Sequence, residues 1–85
     1  METGESLSVL IELLDTVPDP ARRENLVHEI EHVETAEAAN ALLNVARNDP
    51  DPRIRRAATE ALGDMDISAA REALIELLQT MEDDQ

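Results

Sequence analysis

Apolar residues recur along this chain in five blocks of helical period, each closed by a proline pair, a short polar turn or a glycine. The first block carries Leu7, Val9, Leu10, Ile11, Leu13 and Leu14 and predicts a helix over Ser6–Val17. Val17-Pro18-Asp19-Pro20 ends it, because proline disfavours helical backbone in the residue before it and lacks the N–H that a continuing helix needs. The same proline suits the first turn of a new helix, with Asp19 placed to cap it. That second helix is expected to reach Val33. Glu34-Thr35 forms a turn with Thr35 as N-cap, and a third helix covers Ala36–Arg47. Asn48-Asp49-Pro50-Asp51-Pro52 repeats the break, and a fourth helix from Pro52 to Leu62 is expected to stop at Gly63. Asp66 or Ser68 caps the fifth, which runs to Met81 ahead of an acidic tail. Residues 1–5 are expected to fray.

The blocks are copies of one another at a spacing of 32 residues. Pro18-Asp19-Pro20 falls on Pro50-Asp51-Pro52, Arg23 on Arg55, Ile30 on Leu62, Ala38 on Ala70 and Ala41-Leu42 on Ala73-Leu74. Two periods apart, Leu10-Ile11-Glu12-Leu13-Leu14 matches Leu74-Ile75-Glu76-Leu77-Leu78 letter for letter. The chain therefore reads as a single domain over 1–85: a half repeat at 6–17, repeats at 18–49 and 50–81, and a tail at 82–85. Short connections force neighbouring helices antiparallel, and stacked pairs supply a core that no pair builds alone.

DPDPRIRRAATEALGDM followed by AAREALIELL resembles the short HEAT-like repeat of the phycobilin-lyase type: an Asp-Pro turn, an Arg in the first helix, an Ala-Leu-Gly close and a Leu-rich second helix. Residues 50–81 carry the pattern best, 18–49 less well and 6–17 as a half. The resemblance implies an all-α fold, a short right-handed α-α solenoid of five antiparallel helices and about 2.5 repeats, serving as a protein-interaction scaffold. It also implies an Asp–Arg ladder between repeats, with Arg23 and Arg55 at the matching positions. Some members of that family attach bilins or act on damaged DNA bases; no residue here matches a chemistry-bearing motif for either.

Helical geometry sorts the columns. In the fourth helix Ile54, Ala57, Ala58, Ala61, Leu62 and Met65 form the apolar stripe, opposite Arg53, Arg56, Glu60 and Asp64. The fifth has a wide apolar arc of Ala70, Ala73, Leu74, Leu77, Leu78 and Met81 with Ile75 at its edge, as expected of a helix touched on both sides by neighbouring repeats. The second helix departs from the pattern, because Arg22, Asn25 and Glu29 stand where the next repeat has Ile54, Ala57 and Ala61. Either they bond to one another or to backbone, or that face is open and waits for a partner or second subunit. Arg22, Arg23, Arg53, Arg55 and Arg56 all lie in first turns, where the helix dipole disfavours cations, so pairing with Asp19, Asp49 and Asp51 is expected and a structural role follows.

Across the second helices the repeat sets Ser8, Asn40 and Glu72 in one row, Glu12, Asn44 and Glu76 in another, and Asp15, Arg47 and Gln79 in a third. In solenoids of the resembled family the second helices line the concave surface, so these nine residues are the candidate partner-binding face, set against the plainer reading of a solvated face. Its acidic character points to a basic partner.

Composition narrows the choice of function. With no Phe, Trp or Tyr the core must be aliphatic and alanine-rich, which suits close helix packing. No cysteine is available for disulfides or thiolate metal sites. Seven arginines and no lysine stand against twenty acids, a net charge of −13 that opposes direct contact with nucleic acid or an anionic membrane. The acidity fits a solubilising surface, adaptation to high salt, or a decoy that mimics nucleic acid. No stretch approaches a membrane span, and acids precede the first apolar run where a signal peptide has bases, so a cytoplasmic location is expected.

One motif suggests catalysis. His28-Glu29-Ile30-Glu31-His32 spells HExxH, the spacing at which two imidazoles on one helix face share a zinc ion. The continuation that supplies a third ligand fails, with Thr35 and Ala38 where Gly and His should stand, and Glu29 falls in a column expected to face neighbouring helices. A surface site remains conceivable, because the repeat sets His28 against Glu60 and His32 against Asp64 on stacked helices. The sequence favours a non-catalytic protein-binding adaptor with no cofactor. A lyase-like accessory or metal-binding protein and an acidic decoy of a nucleic-acid-binding protein stand as alternatives. The apolar run Leu7–Leu14 adds an expectation of homodimerisation through the ends of the stack.

Overall fold

The computed structural model describes residues 7–83, with side chains as far as Gln79. The structure is five α-helices in chain order: α1 Leu7–Thr16, α2 Pro20–Glu31, α3 Ala36–Asn48, α4 Pro52–Asp64 and α5 Ser68–Asp83. No strand occurs among the described residues. The fraying of residues 1–5, the side chain of Met81 and the last two residues of the acidic tail lie outside the described residues. Helix α5 itself runs two residues past the expected end, through Asp83.

The caps follow the sequence. Asp19 and Asp51 precede Pro20 and Pro52, and their carboxylates accept from the N–H groups of Ala21 at 3.3 Å and Arg53 at 2.9 Å. Thr35 accepts from the N–H of Ala38 at 3.2 Å. The turn before it holds Glu34 at φ 35°, the left-handed region that a side chain makes costly. Three terminus expectations are corrected, the first at α2, which ends at Glu31 with His32 as its cap and does not reach Val33. Gly63 does not end α4 but lies inside it, and the cap is Met65, whose N–H reaches the carbonyls of Ala61 and Leu62. Helix α5 begins at Ser68, so Ile67 flanks it rather than Asp66 or Ser68, and its carbonyl accepts from Arg71 at 3.3 Å.

Packing follows the repeat. Helix α2 packs on α4 and α3 on α5, while α3 also packs on α4 and α1 on α2. This is a short all-α solenoid. Its core is built around Val27, Ile30, Leu42, Ile54 and Leu62, with Ala38, Ala39, Ala57, Ala58, Ala61, Ala70 and Ala73 between helices. Alanine at the crossings lets axes approach toward the short end of the usual range of about 8–10 Å. In α4 the expected stripe is buried throughout and Arg53, Arg56, Glu60 and Asp64 are exposed.

The end columns differ from expectation. Leu78, placed in the buried arc of α5, is 58% exposed, and Ile75 is 51% exposed, because no described helix follows α5 to cover them. At the other end Arg22, Asn25 and Glu29 are exposed and line an open groove of about 260 Å³ with Leu13, Val17 and Leu26. Glu29 thus faces solvent, not neighbouring helices. The face of these residues is open, as the second alternative has it, and there polar groups keep their water. In α1, Leu10 and Leu14 are buried in the chain's own core and Val9 is exposed.

Candidate binding face

The face is positioned by a buried ion pair. Arg23, in the first turns of α2, donates from Nη1 to Oδ2 of Asp49 at 3.0 Å, from Nη2 to Oδ1 of the same carboxylate, and from Nε to the carbonyl of Leu14 at 3.2 Å. Asp49 also accepts from the N–H of Asp51 at 3.0 Å, and its carbonyl accepts from Nη1 of Arg55 at 2.7 Å. The Arg23–Asp49 pair thus ties the end of α1, the start of α2, the end of α3 and the start of α4. Asp49 is 7% exposed and is the buried charged residue among those described. Burial alone would push its pKa up. The hydrogen bond from Arg23, that from Asp51 N–H and the charges of Arg23 and Arg55 outweigh this and hold it below the usual carboxylate value. Arg23 is raised in turn, chiefly by its bond to Asp49 and against the cost of burial.

This is the expected ladder, with one difference. Arg23 and Arg55 do not pair alike: Arg23 pairs with a carboxylate 26 residues further on, whereas Arg55 binds a carbonyl. The position that would offer Arg55 an aspartate, one period after Asp49, is Met81. Arg53 lies 3.9 Å from Asp51 at the surface, as expected of that pairing, and Asp19 serves as a cap.

On this frame the nine residues of the second-helix rows, Ser8, Glu12, Asp15, Asn40, Asn44, Arg47, Glu72, Glu76 and Gln79, are all exposed. Asn40, Glu72 and Glu76 line a groove of about 230 Å³ between α3 and α5, floored by Ala36, Leu43, Ala69 and Ala73. Asp15 and Asn44 line a larger one, about 430 Å³, between the ends of α1 and α3, with Leu14, Val17, Val45, Asn48 and the Arg23–Asp49 pair. Arg47 reaches across to Glu76 at 3.2 Å, a surface contact worth little stability that joins two of the rows. Asn48, which donates to Asn44 at 2.7 Å, was missed; extending the α3 column by one helical turn from Asn44 finds it.

His28, His32, Glu60 and Asp64 are all exposed. His28 lies 3.6 Å from Glu31, and Nδ1 of His32 is 2.9 Å from the carbonyl of His28. Among the described residues, no three His, Asp or Glu side chains are grouped as metal ligands. Stacking therefore does not gather those four into one site.

A family model of HEAT repeats matches residues 7–85. The chain belongs to the HEAT repeat family. No curated protein and no solved structure matches it. HEAT repeats generally mediate protein–protein interaction and are typically scaffolds without chemistry of their own. No described helix is long and apolar enough to cross a membrane.

Proposed function

We propose that this HEAT repeat chain is a non-catalytic, cytoplasmic interaction module that binds a basic segment of a protein partner along its second-helix face. The observation that carries the reading is the exposure of all nine row residues on α1, α3 and α5, beside two grooves. Four of them are carboxylates (Glu12, Asp15, Glu72 and Glu76) and Arg47, the single cation, is paired with Glu76. The groove between α3 and α5 sets Leu43, Ala69 and Ala73 beside the carboxylates of Glu72 and Glu76, which suits a peptide with alternating aliphatic and basic residues.

The test is retention from lysate by the wild type and by a variant carrying Glu12→Arg, Asn44→Arg and Glu76→Arg. A basic partner held by the wild type and lost by the variant is expected. Equal recovery on both moves binding off this face. Binding of zinc or a bilin with affinity that survives the triple change would favour the accessory-protein reading instead, and competition with DNA for the captured protein would favour a decoy.

A further inference from the structure

The step from α1 to α3 and the step from α3 to α5 use equivalent positions, so each can be compared with the other. In the second step, Arg47 of α3 reaches Glu76 of α5 at 3.2 Å. One period earlier those positions are Asp15 and Asn44, a carboxylate and an amide. The first step therefore has the anion of such a pair and no arginine to match it. Asp15 is exposed and belongs to no ion pair among the described residues. With Asn44 it lines the cleft of about 430 Å³ between the ends of α1 and α3. The residues around this cleft come from α1, α2, α3 and the loops between them, all of them described.

Proline makes the cleft rich in acceptors. A helix carbonyl receives an N–H from the residue four places on, and proline has none to give. The carbonyl of Leu14, with Pro18 in that place, is bonded instead by Nε of Arg23 at 3.2 Å. Those of Thr16 and Asn48 have Pro20 and Pro52 there and are left to another donor. Asn48 gives an amide N–H to Asn44, so its own amide oxygen is left to accept. The C-terminal ends of α1 and α3 add the negative poles of two helices. Arg23, the cation in the cleft, is held through both Nη nitrogens by Asp49. Its pKa is raised chiefly by that bond and, against burial, by the charges of Asp49, Asp51 and Asp15. Asp15 thus stands near the pair without being bonded into it, and its charge is the one in excess.

We propose that this cleft anchors the basic partner by receiving one of its arginine side chains, whose guanidinium pairs with Asp15. The partner's arginine then supplies between α1 and α3 what Arg47 supplies between α3 and α5. The assignment rests on the second-helix face being the binding surface, and narrows that face to one cleft and one side chain. Leu14, Val17 and Val45 give the methylene stem an apolar wall. Arginine fits better than lysine because its planar fork of five N–H groups can meet a carboxylate and a carbonyl together. Arg23 is the precedent within the chain, bonded at once to the Asp49 carboxylate and the Leu14 carbonyl. A divalent metal ion fits less well, since no three His, Asp or Glu side chains are grouped among the described residues.

The test is a proton–nitrogen NMR titration with three peptides in which leucine alternates with arginine, lysine or the neutral isostere citrulline. The arginine peptide is expected to bind and to move the amides of Asp15, Thr16 and Asn48. Its affinity should fall on the order of ten-fold in Asp15→Asn, and the citrulline peptide should lose as much on the wild type. The lysine peptide should bind more weakly than the arginine one. Asn44→Arg, which supplies a guanidinium from within, should block the cleft, whereas Glu24→Gln, which removes one exposed charge on α2, should not change the affinity. Unchanged circular-dichroism melts would show that these variants fold. If the arginine peptide instead moves the amides of Asn40, Leu43 and Glu72 and binds Asp15→Asn as well as wild type, the anchor falls and the second-helix face stands. Equal losses in Asp15→Asn and Glu24→Gln, or equal binding of the citrulline peptide, would likewise overturn the anchor. No binding of the arginine peptide by about 1 mM would overturn both.

Discussion

Asp49 shows what one side chain can organise. Its carboxylate is bonded by Arg23 and by the N–H of Asp51, and its carbonyl by Arg55, so three helix ends meet at a single residue, and Arg23 adds the fourth through Leu14. Removing the charge leaves Arg23 half-buried without an anion, the situation in which a broken pair costs most. Asp49→Asn is expected to lower unfolding free energy at neutral pH by about 3 kcal/mol in urea titrations. The sign of the pH dependence follows from the lowered pKa of Asp49 in the fold. Its contribution is present above the unfolded value of about 3.9 and is lost as pH falls through the lower folded value. The wild type should therefore lose stability below about pH 4 faster than Asp49→Asn, and the gap between them should narrow. A gap that stays constant down to pH 2 would separate the pair from the stability it is assigned.

At the level of elements, proline and aspartate placed the starts of α2 and α4 because those signals act within one turn of backbone. Helix ends were less legible. Gly63 looks like a terminator, yet α4 continues through it to Asp64, with the buried Met65 as the cap. A Cβ added at Gly63 would meet only Leu74 Cδ1 at 4.0 Å, ordinary van der Waals contact. Gly63→Ala should thus raise stability by about 0.5 kcal/mol through the reduced entropy of the unfolded chain; a lower melting temperature would show that Gly63 is needed as glycine. Glu34 is the reverse case, a side chain at φ 35° where glycine is at ease. Glu34→Gly is expected to be neutral or stabilising by up to about 1 kcal/mol, read from the same thermal melts.

For the whole molecule, charge is the dominant quantity. Twenty acids against seven arginines on 85 residues give a self-repulsion that the Arg23–Asp49 and Arg47–Glu76 pairs relieve only locally. At about 1 M salt the screening length falls to ~3 Å, and most of that repulsion disappears. Sodium chloride at this strength should raise the melting temperature by several degrees, with the charge-removing Glu12→Gln, Glu76→Gln variant gaining less than the wild type. Melts insensitive to salt would mean that the acids are too dispersed to destabilise the fold, and the reading of salt adaptation would fall with them.

Five helices, three of their caps, the α4 stripe and the repeat register could all be read from the chain. Each depends on local backbone preference or on a period that the sequence carries in plain view. The nine candidate face residues were likewise legible as columns, since a polar column on a helix packed along its other side must meet water. Tertiary structure decided the rest, and it did so where a column's fate depends on a neighbour. Leu78 repeats Leu14 letter for letter, but one is covered and the other is not, because only one has a helix stacked against it. Glu29 is exposed for the same reason at the opposite end. The partner of Arg23 lies 26 residues away and is chosen by how α1, α2 and α3 converge. Periodicity tells which residues are equivalent; packing alone tells which of the equivalents has something beside it.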